Sequence, residues 1–440
     1  MFTDKTFVPE IFNIGGEYFL YHLKNDGLSS IPSLTKIKES ALESVHGYDA
    51  KRKAEIASFV GFTISPENNP EKYLRTIDLG DGCRNFNLYE LPFHSQGKHH
   101  YDEQFGVNWP YIYKLIHHIA PHEKPFPSSK YTYFQLLMDY LAIAWRYPQQ
   151  RLPILSIVSK ERSTGKTTFL QLIGLMGQSN AKFVSMSDLS SDFNSIWGLA
   201  NFILVDEAKI PKNMMTKIRD ESTSRSRNIN IKFLQQFTIP NFCKYIMASN
   251  DIENFADIED EENRYFVIEV NPFPTDDENP NYLELMKSEL PYFLDYLMNH
   301  HDFFTKKEGR FWFNYKDYRT PALSKMINGS KSPVDLKVEE ILESLCDEYS
   351  INFDDSIIWE FSLTGIRNFL MLYKGNEKEI KNALKRLGVH CDGHKKRFTC
   401  AYIRKETLAI RYSISVGELR SIFDPNKSTL VQVEESENAA

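Results

Sequence analysis

The chain has 440 residues, of which 42% are hydrophobic and 25% are charged, and its formal net charge is −7 at pH 7. This length is typical of about three domains, and the composition is that of a soluble globular protein rather than a disordered or fibrous one. No run of ~18 apolar residues is present, so no membrane span is predicted. The acidic balance also gives no overall nucleic-acid signature, so such binding would have to use local basic patches.

The cysteines and the N-terminal segment predict a cytoplasmic protein. The start, MFTDKTFVPEIF, has no basic stretch followed by an apolar run, so no signal peptide is predicted. An odd number of scattered cysteines fits reduced thiols better than a disulfide framework. The five are Cys83, Cys243, Cys346, Cys391 and Cys400.

The first 150 residues predict a small domain followed by a helix. Residues 1–125 mix short aromatic-rich runs with turn signals, which favours a small mixed α+β domain. Six histidines lie between His94 and His122, and we interpret them as surface residues rather than as a zinc site. The segment 126–150 is a helical lead-in, with helical spacing of apolar residues over 131–148 and a proline at its end.

Residues 151–272 alternate short β-branched runs with helical stretches, a pattern that predicts an α/β fold with a parallel sheet. The strand candidates are PILSIVS, NFILVDEA, FCKYIMAS and RYFVIEV. A proline-marked exit, NPFP, leads into a helical region that we place at 273–330.

The turn after the first of these strands has the features of a phosphate-binding loop. Gly165-Lys166-Thr167 follows PILSIVS and opens an amphipathic helix, where backbone N–H groups and the helix dipole favour phosphate. Lys166 would contact the β- and γ-phosphates, and the Thr167 hydroxyl would ligate Mg²⁺. The usual first glycine is replaced by Lys160, and a basic turn before a helix is the alternative. The predicted ATP-binding residues are Ser163, Thr164, Gly165, Lys166, Thr167 and Thr168.

Two carboxylates end the second strand. Asp206 and Glu207 would be costly at the end of a buried strand unless a cation compensates them. We expect Asp206 to hold Mg²⁺ through water and Glu207 to activate the attacking water, with a solvated strand end as the alternative.

Two further residues are catalytic candidates. Asn250 ends the third strand, where it would orient water or sense the γ-phosphate, or would only cap the next turn. Arg264 follows seven acidic residues between Asp251 and Glu262. It would act as a finger on a neighbouring subunit's γ-phosphate, or would only pair with those acids.

Two basic segments are candidates for DNA contact. The segment 209–232 has seven Lys/Arg and two acids, and it ends in a predicted hairpin with Arg225, Arg227 and Lys232 as phosphate contacts. A solvated basic surface is the alternative.

The second segment lies within residues 331–424, for which a winged-helix-like domain is predicted. A basic helix precedes KKRFTCAYIRK, which we interpret as a turn plus a strand that presents Lys395, Lys396 and Arg397 to duplex DNA, with a protein contact as the alternative. Residues His390, Cys391, His394 and Cys400 do not have the spacing of a usual zinc site. The tail, 425–440, is polar and is expected to be disordered.

Five motifs follow one another within about 120 residues: STGKTT, ILVDEA, the basic segment, KYIMASN and NRYFVIEV. This order resembles that of the superfamily 3 helicase domain. It is most similar to the C-terminal half of the primase-helicase proteins of phages, poxviruses and bacterial mobile elements. The resemblance covers about 130–330. It implies an AAA+ P-loop core and a hexameric ring that hydrolyses ATP with Mg²⁺ between subunits. It also implies 3′→5′ movement on single-stranded DNA in a bacterial cell or infected host, and a hairpin that lines the pore.

Carried over, the resemblance assigns Lys166 and Thr167 to the loop, Asp206 and Glu207 to the metal and water, Asn250 to the sensor and Arg264 to the finger. Lys160 departs from the pattern, and residues 1–125 contain no primase motif, so a separate primase or other replication proteins are candidate partners. A non-helicase AAA+ DNA-binding ATPase, acting as an assembly switch or defence component, is the alternative. A simple P-loop kinase would leave KYIMASN and NRYF without a role.

Overall fold

The computed structural model describes most of the chain. The described residues are 10–25, 30–47, 49–56, 58–93, 108–126, 129–194, 197–206, 210–231, 235–252, 263–273, 279–329, 333–349, 355–369, 377–400 and 405–423. The chain divides into two compact units, Met1–Gly329 and Ser330–Ala440, which are described separately.

The first unit begins with two small sheets around an aromatic cluster. Its elements are β1 (Glu10–Ile14), β2 (Glu17–Asn25), β3 (Ser30–Ile37), α1 (Glu39–His46), α2 (Ala50–Ile56), β4 (Ser58–Phe59), β5 (Gly61–Thr63), β6 (Thr76–Gly80) and β7 (Cys83–Asn87). The strand orders are β3-β2-β1-β4 and β5-β7-β6. The rings of Phe12 and Phe86 stack with centroids 4.4 Å apart, and Phe59 meets Phe86 edge-on at 5.3 Å. This aromatic packing joins the two sheets.

A five-stranded parallel sheet with helices forms the rest of the first unit. The elements are α3 (Pro110–Ile119), α4 (Tyr133–Arg146), β8 (Ile154–Val158), α5 (Lys166–Gly177), β9 (Ala181–Phe183), α6 (Met186–Ser190), β10 (Phe202–Asp206), α7 (Lys212–Thr223), β11 (Ser226–Ile229), β12 (Phe237–Pro240), β13 (Lys244–Ser249), β14 (Tyr265–Glu269), α8 (Tyr282–Asp295), α9 (Tyr315–Tyr318) and α10 (Pro321–Gly329). A π-helical turn, Tyr296–His300, extends α8. The sheet order is β14-β8-β13-β10-β9, and every neighbouring pair is parallel.

Helices cover both faces of this sheet. Leu155 and Ile157 of β8 pack in a core with α3, α4, α5 and α8, whereas Ile154 and Val158 pack in a second core with α6, α7 and α10. Alternate side chains of a strand point to opposite faces, and a parallel sheet covered on both faces requires strands that are apolar throughout. The predicted α/β fold class with a parallel sheet is therefore confirmed, and the four predicted strands are β8, β10, β13 and β14.

Two local features fix this core. Helix α4 begins with a reciprocal capping box between Thr132 and Gln135, which satisfies two N–H groups at its first turn. At the end of α5, a Cβ on Gly177 would lie 2.8 Å from Phe202 on β10, so this close packing of helix on sheet requires glycine.

The second unit is a small domain with a three-stranded antiparallel sheet. Its elements are α11 (Pro333–Tyr349), β15 (Ile358–Ser362), α12 (Leu363–Phe369), α13 (Glu377–Arg386), β16 (His390–Cys400), β17 (Lys405–Ser415) and α14 (Val416–Phe423). The strand order is β15-β17-β16. Phe361, Leu384 and Ile414 lie in its core. The predicted tail lies outside the described residues, as do residues 401–404 between β16 and β17.

None of the helices in the described part of the chain combines the length and apolar character that crossing a membrane requires.

Candidate functional site

The loop between β8 and α5 turns sharply just before the helix. Gly165 is the residue before α5 and has a φ of +77°, a left-handed conformation that glycine adopts without strain. Ser163 has a φ of +55°, which is uncommon for a residue with a Cβ. The curvature of the loop therefore lies at its end, next to the first N–H groups of α5.

Lys160 occupies the position of the usual first glycine. The described non-glycine residues with positive φ are Asp81, Ser163, Gln178 and Trp312, so Lys160 keeps a backbone conformation that any residue adopts. Its side chain is exposed. The replacement of glycine by lysine here thus causes no backbone strain.

Lys166 points its ammonium group back into the loop. The side chain is buried, and Nζ donates hydrogen bonds to the Glu161 carbonyl oxygen at 3.2 Å and to Thr164 Oγ1 at 2.6 Å. Burial lowers the pKa of Lys166, and the Asp206 carboxylate acts in the opposite direction. A lysine held inside a loop of oxygen atoms has its charge where an anion at the helix N-terminus would meet it.

Thr167 and Asp206 meet at the same place. The Thr167 hydroxyl donates a hydrogen bond of 2.7 Å to Asp206 Oδ2, although the two residues lie 39 positions apart. Both side chains are exposed. A hydroxyl and a carboxylate are hard oxygen ligands, which Mg²⁺ prefers, so these two residues have the chemistry to hold Mg²⁺ beside a phosphate.

Asn250 follows β13, the strand that lies between the strand before the loop and the strand that ends in Asp206. Strand β13 lies between β8 and β10, and the Ser249 carbonyl accepts a hydrogen bond of 3.1 Å from Ser159 N at the start of the loop. Asn250 follows Ser249 and is exposed. It therefore extends from the sheet edge between the loop and Asp206. Glu207, which follows Asp206, lies outside the described residues.

Arg264 lies at the amino end of the parallel strands, whereas the loop lies at their carboxyl end. It precedes β14, and its carbonyl accepts a hydrogen bond of 2.7 Å from Ile154 N at the start of β8. The five residues of β8 separate this point from the loop by about 16 Å at ~3.3 Å per residue. The structure thus does not bring Arg264 to the loop of its own chain.

The predicted hairpin is present, but one of its arginines faces inward. β11 pairs with β12 in an antiparallel register, and Ile229 and Ile239 pack with the aromatic cluster of the N-terminal sheets. Arg225 is exposed. Lys232 lies outside the described residues.

Arg227, which we expected to contact DNA, is instead buried. Its guanidinium group donates to the Gly198 carbonyl at 3.3 Å and forms an ion pair of 3.2 Å with Glu221. It also contacts Cys243 and lies 5.1 Å from the centre of the Trp197 ring. Burial of Arg227, with both terminal guanidinium nitrogens in contact with groups of the same chain, does not favour a contact with DNA.

The basic residues of the second unit are exposed but do not form a turn. Lys395, Lys396 and Arg397 all lie within β16, paired with β17, after a register shift between Cys391 and Lys395. Lys396 Nζ lies 3.3 Å from Asp392. Helix α13 precedes this strand and exposes further lysines on its polar face. The turn expected at the start of KKRFTCAYIRK was wrong, since Lys395–Arg397 lie within β16 and are paired with β17.

Within the described parts of the chain, no three His, Cys, Asp or Glu residues are grouped closely enough to hold a metal ion. His390, Cys391 and His394 are exposed, whereas Cys400 is buried.

Sequence reasoning missed a cavity of about 450 Å³ beside the loop. Its lining residues are Leu115, Ser163, Gly165, Thr168, Phe273, Asn279, Pro280 and Tyr282. The only sequence signal was the NPFP exit, which contains Phe273. The cavity is built from segments that are far apart in the sequence, so no local pattern reveals it.

Comparisons with known proteins agree with this picture at the level of the fold. Residues 157–264 match a family of unknown function (DUF5906), which covers the chain from β8 to the residue before β14. No curated protein matches the chain.

Among solved structures, the apo structure of the NrS-1 C terminal region (305–718) is similar, with a TM-score of 0.62 and 16% identity over 92% of this chain and 96% of that chain. The A form apo structure of the same region gives a TM-score of 0.60 at the same identity and coverage. At this identity the likeness concerns the fold.

Proposed function

We propose that this protein is an ATP-dependent DNA helicase or translocase of the superfamily 3 kind, built on an AAA+ core and acting in the replication of a phage or mobile element. The observation that carries the proposal is the cluster of Lys166, Thr167 and Asp206 at the N-terminus of α5. Phosphoryl transfer needs little from a protein beyond positioning and charge stabilisation, and these three residues supply a cation, a hydroxyl and a carboxylate.

The roles of the other residues follow from their positions. Asn250 extends between the loop and Asp206, which suits a residue that orients the lytic water. Glu207 follows Asp206 directly and would activate that water. Ser163, Thr164, Gly165 and Thr168 would surround the phosphates of ATP.

Arg264 supports a ring. Because Arg264 lies at the end of the strands opposite the loop of its own chain, it would act only on a nucleotide bound by a neighbouring subunit. A head-to-tail interface of this type closes into a ring, and the resemblance favours a hexamer.

The second unit would bind duplex DNA. A helix–helix–hairpin order, α12, α13 and β16–β17, with lysines on α13 and β16, is that of a winged helix, in which the second helix enters the major groove. Single-stranded DNA would instead meet Arg225 and Lys232 of the β11–β12 hairpin.

One observation favours the alternative of a non-helicase AAA+ ATPase that acts as a switch. The β11–β12 hairpin packs against the N-terminal sheets near its loop end, with the rings of Phe62 and Phe237 5.1 Å apart, and Arg227 is buried. A hairpin packed in this way would transmit a nucleotide-dependent change to the N-terminal sheets rather than move along a DNA strand.

Strand displacement separates the two functions. We expect the purified protein with Mg²⁺ and ATP to displace the complementary strand from a 3′-tailed duplex, and not from a 5′-tailed duplex of the same length. A non-hydrolysable ATP analogue is the matched control and should support no displacement. Hydrolysis of ATP without displacement from either duplex would favour the switch.

The two basic regions are expected to differ in role. Neutralising Lys395, Lys396 and Arg397 should weaken duplex binding and reduce the salt slope by up to about 2.7, since each phosphate contact contributes about 0.9. Lys232→Ala should instead weaken strand displacement more than duplex binding. Fluorescence anisotropy at several salt concentrations measures the slope.

A matched variant neutralises Lys306, Lys307 and Arg310, three exposed cations of the first unit, and should leave the slope unchanged. If the β16 variant and Lys232→Ala affect both assays equally, the assignment of the two regions is wrong.

A further inference from the structure

The cavity beside the loop suits an uncharged, flat group. Its volume of about 450 Å³ lies in the range of small-molecule sites, and none of the described side chains that line it carries a formal charge. The phosphates of a nucleotide would bind at the loop end of the cavity, which Ser163, Gly165 and Thr168 line, so the rest of the cavity is left for the part of the ligand that has no charge.

The cavity begins where the phosphate loop ends. A Cβ on Gly165 would lie 3.4 Å from both Leu115 and Phe273, which form part of its wall. Phe273 N also donates a hydrogen bond of 3.1 Å to the Ser163 carbonyl. A ligand with its phosphates on α5 would therefore extend directly into this space.

Aromatic rings form one side of the cavity. The rings of Phe273 and Tyr282 meet edge-on with centroids 6.1 Å apart, and the ring of His118 lies 4.3 Å from that of Phe273. Leu115 on α3 also lines the cavity. Aromatic rings stack on any base, and the larger purine ring buries more surface than a pyrimidine.

A buried carboxylate ties the two walls together. Glu289 of α8 accepts hydrogen bonds from the backbone N–H groups of Tyr111, at 3.0 and 3.1 Å, and of Ile112, at 3.0 Å. The Tyr282 hydroxyl donates a hydrogen bond of 2.7 Å to the Tyr111 carbonyl. Trp109, the residue before α3, gives that helix no side-chain cap, so Glu289 supplies the cap from α8. Burial raises the pKa of Glu289, although these backbone hydrogen bonds act in the opposite direction.

We propose that the cavity takes the purine base of the nucleoside triphosphate whose phosphates bind the loop, and that Glu289 is a positioning residue that holds its walls together. This inference rests on the proposed nucleotide site. Phe273 and Tyr282 hold the base by stacking, and Glu289 acts through α3 without touching the ligand. ATP and GTP should therefore both bind more tightly than CTP.

The test compares a ligand that has a base with one that lacks it. Calorimetry with Mg²⁺ and ATP, GTP, CTP or inorganic tripolyphosphate should give wild-type affinities that fall in the order purine, pyrimidine, tripolyphosphate. Phe273→Leu should weaken ATP binding by about 5- to 150-fold, the range for loss of base stacking, with tripolyphosphate affinity unchanged. Phe304→Leu, at an exposed phenylalanine of the same unit, is the matched control and should bind ATP as the wild type does.

Glu289 is tested by rescue. Glu289→Ala should lower ATP affinity without lowering tripolyphosphate affinity, and Glu289→Gln, which retains an acceptor oxygen, should restore most of the loss. Thermal melting confirms that each variant is folded. If Gln fails to restore ATP binding, or tripolyphosphate binding falls equally, the positioning role is wrong.

Lys166→Ala distinguishes failure of the base cavity from failure of the phosphate site. If it loses both ligands while Phe273→Leu loses neither, the phosphate site stands and the base assignment is overturned. If Lys166→Ala binds both ligands as tightly as the wild type does, the proposed nucleotide site itself fails.

Discussion

Lys166→Ala is expected to reduce ATP hydrolysis by about 10²–10³-fold, the usual effect of removing one charged or hydrogen-bonding group that stabilises a transition state. The Lys166 ammonium is buried and held 2.6 Å from Thr164 Oγ1 inside the loop. Its removal leaves the β- and γ-phosphates without the cation that balances their developing charge. Phosphate release at saturating ATP measures the effect.

Lys160→Ala is the matched control for this change. Lys160 belongs to the same loop and carries the same charge, but its side chain is exposed. We expect turnover close to that of the wild type. Near wild-type hydrolysis by Lys166→Ala, or an equal loss from Lys160→Ala, would contradict the assignment of the loop.

Arg264→Ala is expected to spare nucleotide binding and remove hydrolysis, because Arg264 lies across the sheet from its own loop. Mixing Arg264→Ala with Lys166→Ala subunits should then restore activity. An interface is complete where an intact loop meets an intact arginine of the neighbouring subunit. With equal amounts and random order, at most about one quarter of the interfaces of such a head-to-tail ring are complete.

The double variant Lys166→Ala/Arg264→Ala is the control for this mixture. Mixed with Arg264→Ala alone, it supplies no intact arginine, so hydrolysis should stay absent. If Arg264 only pairs with the acidic residues before it, the first mixture will restore nothing either. That result would remove the main support for catalysis between subunits.

The sequence was sufficient to predict four of the five strands of the parallel sheet and the proximity of Thr167 to Asp206, because these signals are local. Buried parallel strands are nearly continuous apolar runs, so β8, β10, β13 and β14 could be located. The meeting of Thr167 and Asp206 also followed, since the carboxyl ends of parallel strands lie at one edge of the sheet. In contrast, β9 has three residues, too few for a periodic pattern.

Other features depend on tertiary contacts. Strand alternation puts Arg227 and Ile229 on the same face of β11, and that signal was outweighed by the basic character of the segment. Arg227 is buried because Glu221, Trp197 and Cys243, from three other parts of the chain, surround it. The cavity, likewise, exists only because α3 and α8 pack together beside the loop.

The Glu207→Gln variant decides whether the loop binds ATP and whether the residue after Asp206 is the base for its hydrolysis. This change removes the proposed base but retains Lys166, Thr167 and Asp206. Mg-ATP binding and phosphate release are measured on the same sample. We expect saturable binding close to that of the wild type with almost no phosphate release. Wild-type phosphate release, or a complete absence of ATP binding, would rule out this role of Glu207.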